Sequence, residues 1–120
     1  MDHTEASNEL EEEYAGLQLL KEKIEAARQL LNADRERLLA ENLTFKSEAL
    51  SLADERDVKR LGAKARKLIR RMGTNDVECA TYRARVLAWR ALSDHYRAEL
   101  EAWRIRSAVL TKAMFSPALH

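Results

Sequence analysis

The stretch 67–78, KLIRRMGTNDVE, decides how the chain is folded. It reads as the end of one helix and the start of the next. Arg70 and Arg71 stand in a last turn, where cations favour the carbonyl end. Gly73 can supply the left-handed residue that closes a helix. Asn75 can cap the following helix, with Glu78 three residues on, as in a capping box. On this reading the chain makes a tight αα turn centred near residue 74.

Outward from that turn the composition is that of helices. Nineteen Ala and eighteen Leu dominate the apolar set, while Val, Ile and Thr total twelve. Strands need β-branched and aromatic residues, whereas Ala, Leu, Glu, Arg and Lys favour helices. Three Gly and one Pro, Pro117, leave few interruptions. The fold class is therefore all-α. A length of 120 residues fits one domain.

The C-terminal segment, about 76–115, ends before Ser116-Pro117 and carries a heptad seam. Tyr82, Val86, Trp89, Ser93, Tyr96, Leu100, Trp103, Ser107, Leu110 and Met114 follow one another at alternating steps of four and three, the spacing of a coiled coil. Within it an aromatic residue followed by Arg recurs every seven residues, at 82, 89, 96 and 103. At such positions Tyr82, Trp89, Tyr96 and Trp103 read as core, over small residues such as Ala49, Ala63 and Ala65, and less as a stack for exposed bases.

The first half has its own row. Leu10, Leu17, Ile24, Leu31, Leu38, Phe45 and Leu52 fall at intervals of seven. The companion row, Tyr14, Leu20, Ala27, Asp34, Asn42 and Ala49, is less regular and reads as containing a stutter. Asn42 and Asp34 would then be polar seam residues, of the kind that set register or partner number. After Leu52 the phase is lost, and a shorter row, Val58, Leu61, Ala65, Leu68 and Met72, takes over. The lapse at 51–57, with Ser51 and Asp54 at capping-box spacing, reads as a kink or short break; the alternative is one helix over about 5–72. The segments are then an N-terminal helix over 5–50, a basic helix over 52–72 and the aromatic helix over 76–115.

A turn near 74 sets residues 76–115 against 33–72 and leaves 10–31 without a partner in the chain. The fold expected is an antiparallel helical hairpin, coiled-coil-like, with a long N-terminal helical arm; the alternative is a three-helix bundle. Apolar side chains of this size contribute about 1.5–3 kcal/mol each when buried. Leu10, Leu17, Leu20, Ile24, Leu31, Leu38 and Asn42 are therefore candidates for self-association or for docking to a partner helix.

Net charge is +1, with strong asymmetry. Residues 1–57 hold 15 acids and 7 bases, and residues 58–120 hold 5 acids and 14 bases. Such asymmetry suggests a basic surface for a partner, or halves that pair. For a turn near 74, Arg90, Arg97 and Arg104 would face Glu55, Glu48 and Glu41. The run 58–71, VKRLGAKARKLIRR, has seven Lys or Arg and no acid. Lys59, Arg60, Lys64, Arg66, Lys67, Arg70 and Arg71, with Arg85 beyond them, form a candidate partner or nucleic-acid surface at the turn end. Phosphate contact there would be blind to base sequence and steeply salt-dependent.

No catalytic constellation stands out. His3 and His120 are terminal; His95 and Glu99 supply two potential ligands where a metal site needs three or four. Cys79 is the lone cysteine and reads as an inert thiol in a reducing, intracellular setting. No apolar run approaches the roughly 18 residues that span a bilayer, and the acidic start shows no signal-peptide pattern. The expectation is a non-enzymatic, intracellular assembly or adaptor protein with no cofactor, metal, membrane or small-molecule partner. It would act on a second copy or on another helical or acidic protein, with nucleic acid as the alternative.

Overall fold

In a computed structural model, residues 3–115 are described. They form two antiparallel helices, α1 (His3–Leu52) and α2 (Val58–Phe115), joined by residues 53–57 in a helical hairpin. The all-α hairpin expected from composition and heptad spacing is what the chain adopts. The stop expected at Ser116-Pro117 lies outside the described residues.

The bend is not at Gly73. That glycine lies inside α2, and no described residue has positive φ. The chain turns instead where the seam loses its phase. The end of α1 tightens through amide-to-carbonyl bonds from Ala53 to Leu50, Asp54 to Ser51 and Glu55 to Leu52, at 3.1–3.2 Å. These are 3₁₀-type closures that satisfy carbonyls left free at a helix end. Asp57 then caps α2, its Oδ1 accepting from the amides of Lys59 (2.9 Å) and Arg60 (3.2 Å). Ser51, expected in a cap, bonds back to Ser47 O within α1.

The helix passes Gly73 because the seam does. Leu61, Ala65, Leu68, Met72, Asn75, Cys79, Tyr82 and Val86 continue in strict four-three alternation through that position. Glycine inside a helix costs about 1 kcal/mol relative to Ala, less than the burial of one such apolar side chain contributes. Gly73 faces open space. Thr74 places its hydroxyl on Arg70 O at 3.2 Å.

The described residues pack as two compact units, residues 28–88 and the described parts of Met1–Ala27 with Trp89–His120. In the first, Leu38, Phe45, Leu68 and Asn75 are buried; in the second, Leu17, Ile24 and Ser93 are. The segment 10–31 is thus not a free arm. Leu10, Leu17, Leu20, Ile24, Leu31 and Leu38 are buried or half-buried within one chain, and Asn42 is exposed. In the second unit, Trp89 Nε1 donates to Ile24 O at 2.9 Å and Trp103 Nε1 to Leu10 O at 2.7 Å. Trp103 also stacks obliquely on Tyr14, with ring centroids 4.9 Å apart. The indoles are seam residues, as their spacing indicates, but they lie against the N-terminal part of α1 and not over Ala49, Ala63 or Ala65.

The companion row of α1 contains no stutter. Ala27, Asp34, Glu41, Glu48 and Glu55 stand at intervals of seven and pack toward α2, while Asn42 and Ala49 are turned away from that row. Carboxylates hold four of these places: α2 brings cations to Asp34, Glu48 and Glu55, while Glu41 accepts from Arg37 and from Asn75.

Candidate functional site: the basic face of α2

The seam-edge acids of the unit 28–88 pair in one register. Glu55 meets Lys64 at 2.8 Å, Glu48 meets Arg71 at 2.6 Å and Asp34 meets Arg85 at 3.5 Å. The two residue numbers of each pair add to 119. In the other unit Glu13 meets Arg106 on the same count. The pairs expected from a turn near 74 do not form. Glu55 and Glu48 are taken by Lys64 and Arg71, and Glu41 accepts from Arg37 Nη1 (3.0 Å) and Asn75 Nδ2 (2.7 Å). Arg97 and Arg104 make instead long contacts within α2, to Asp94 and Glu101, both at 3.9 Å.

Around Asn75 lies a polar layer. Arg37 bridges Glu41 and Glu78, the latter at 2.7 Å. The hydrogen bond to Glu78 is the main reason the Arg37 guanidinium holds its proton more tightly than usual. Cys79 Sγ donates to Asn75 Oδ1 at 3.5 Å. Asn75, expected as a cap, is instead a buried seam polar residue, 4% exposed. Arg71 also rests over the Phe45 ring, 5.4 Å from its centroid, in cation–π range.

These pairings sort the eight predicted site residues. Lys64, Arg71 and Arg85 belong to the seam edge and are neutralised there. Lys59, Arg60, Arg66, Lys67 and Arg70 are exposed and form no ion pair among the described residues. A helix turns 100° per residue, which puts each of these five well around α2 from the centre of its seam. They form one face, three turns long, with Ala63 among them and no acid from Val58 to Asn75. The guanidinium of Arg66 lies over Gly62, 3.4 Å from where a Cβ would stand. Asp57, the cap, and Glu55, paired to Lys64, are turned to structural work at the edge of this face.

Arg37, Glu41 and Asn75 escape the reading of the sequence as a polar layer. Their signal is the antiparallel count of 119, which differs from the one that Gly73 suggests. Among the described residues no three His, Cys, Asp or Glu side chains are grouped to hold a metal, and no helix is long and apolar enough to cross a membrane. No known protein family, curated protein or solved structure matches the chain.

Proposed function

We propose that the chain is a non-enzymatic assembly or adaptor protein that docks an acidic partner on the outer face of α2. The observation that carries this reading is the sorting of the bases. The seam-edge acids Glu48 and Glu55 near the turn are engaged, yet Lys59, Arg60, Arg66, Lys67 and Arg70 remain exposed and unpaired among the described residues. Five like charges over three turns repel one another. An acidic surface would relieve that repulsion and draw its partner by long-range attraction. The folded helix would present the face without ordering cost at the time of binding.

A second reading, contact with a nucleic-acid backbone, uses the same five side chains and is favoured by the acid-free run 58–75. It would be limited to phosphates, since the Trp89 and Trp103 indoles are committed to carbonyls of α1 and do not offer a stacking platform.

The test is a titration of the full chain with polyglutamate and, separately, with duplex DNA at matched salt. Polyglutamate should bind, and replacing Arg66, Lys67 and Arg70 by Glu should weaken it about tenfold or more. Unchanged binding by that variant rules out the basic face. DNA binding tighter than polyglutamate by more than about tenfold moves the conclusion to the second reading.

A further inference from the structure

The acidic partner can be identified by where this chain keeps its own unpaired acids. Exposed acids that form no ion pair among the described residues are most closely spaced at the start of α1, with Glu5, Glu9, Glu11 and Glu12 and then Glu22; the others, Glu36, Asp54, Asp76 and Glu99 besides the cap Asp57, are scattered. The two units carry opposite charge. Residues 28–88 hold fourteen Lys and Arg against nine Asp and Glu, and the described residues of the other unit hold seven against ten. Within each unit the register already assigns the neighbours of these faces. The first turns of α1 pair with the last turns of α2, as Glu13 with Arg106, and the first turns of α2 with the last of α1, as Lys64 with Glu55.

We infer that the basic face of α2 docks the acidic N-terminal face of α1 in a second copy of this chain. The inference rests on the functional reading above and names its partner. Spacing supports it as well as sign. Glu5 and Glu12 stand seven residues apart, as do Lys59 and Arg66, and Arg60 and Lys67. Seven residues are about two helical turns, so two helices side by side can align two acid–base pairs along one line. The net charge of +1 adds a further argument. A near-neutral molecule has no overall self-repulsion to oppose association.

The test is the oligomeric state of the full chain by sedimentation, at about 0.1 M and about 1 M salt, where the Debye length falls from roughly 10 to roughly 3 Å. Association should be present at low salt and weakened about tenfold or more at high salt. Two variants each reverse one face: Arg66→Glu with Lys67→Glu and Arg70→Glu, and Glu5→Lys with Glu11→Lys and Glu12→Lys. Each alone should sediment as a monomer with its helix content kept. An equimolar mixture of the two should associate again, as should one chain carrying all six changes. A wild-type monomer at low salt, or a mixture that stays monomeric, overturns the inference. If wild type is monomeric but still binds polyglutamate through Arg66, Lys67 and Arg70, self-docking is wrong and the basic docking face stands.

Discussion

Asn75 Nδ2 donates to Glu41 Oε2 at 2.7 Å across the two helices of the unit 28–88. Asn75 is one of two buried polar residues among those described, and Ser93 is the other. A buried seam asparagine specifies register, because sliding the helices by a turn would leave its amide without a partner. Here the constraint is reinforced by Arg37, which ties the same carboxylate to Glu78. The polar layer thus selects the pairing that the flanking ion pairs merely accompany, since exposed pairs contribute only about 0.2–1 kcal/mol each.

Replacing Asn75 by Ala should therefore destabilise the fold by about 1.5–3 kcal/mol, the range for losing a hydrogen bond to a charged group. Urea unfolding followed by circular dichroism measures it. Adding Glu41→Leu to the Asn75→Ala variant should cost less than the two single changes summed, because the two side chains act as a pair. A neutral Asn75→Ala would show that the layer does not hold the register.

Gly73→Ala should stabilise the hairpin by about 0.5–1 kcal/mol. The glycine is helical and exposed, and nothing lies within 4 Å of where a Cβ would stand, so the added methyl removes backbone freedom from the unfolded chain without a clash. A left-handed glycine at a helix end would give the opposite sign. Loss of stability in thermal or urea unfolding would thus return the bend to position 73.

What the sequence shows plainly is whatever repeats. The Leu10-to-Leu52 row and the Tyr82-to-Leu110 row both lie in the seam, and helical composition leaves strands no material. What it hides is non-local. Arg70, Arg71, Gly73 and Asn75 meet every local rule for a helix stop, yet phase decides, and Asn75 and Cys79 carry the row of Leu68 and Met72 on to Tyr82 without a slip. Polar residues are hard to see as members of an apolar row. For the same reason Glu41 and Glu48 are disguised, and Asn42 and Ala49 take their place in the pattern. The basic face is legible as a run of charge, but which of its members are free follows only from the partners that Lys64 and Arg71 find in α1.

Asp57→Ala tests the true turn. It removes the carboxylate that receives the Lys59 and Arg60 amides and should cost about 0.5–2 kcal/mol, with Asp57→Asn close to wild type because asparagine caps nearly as well. Asp54→Ala, at the position that capping-box spacing singles out, should be milder. Equal effects at 54 and 57 would argue against Asp57 as the cap.

Glu55 links the turn to pH. Its carboxylate accepts from Lys64 Nζ at 2.8 Å and from the Asp57 amide at 3.3 Å, and these bonds, the first above all, hold it below the usual glutamate value of 4.5. A folded-state pKa below the unfolded one means that the charged form stabilises the fold above the unfolded value. That contribution is lost as pH falls through the lower, folded value. The stability difference between wild type and Glu55→Gln should therefore be constant from neutral pH down to about 5 and shrink below the usual glutamate range. High salt should diminish it throughout, since the Lys64 side chain is largely exposed. Paired urea titrations from about pH 7 to about pH 3 measure the slope. A difference that grows on acidification would mean that Glu55 is held above its ordinary pKa, and the Lys64 pairing at the turn would have to be abandoned.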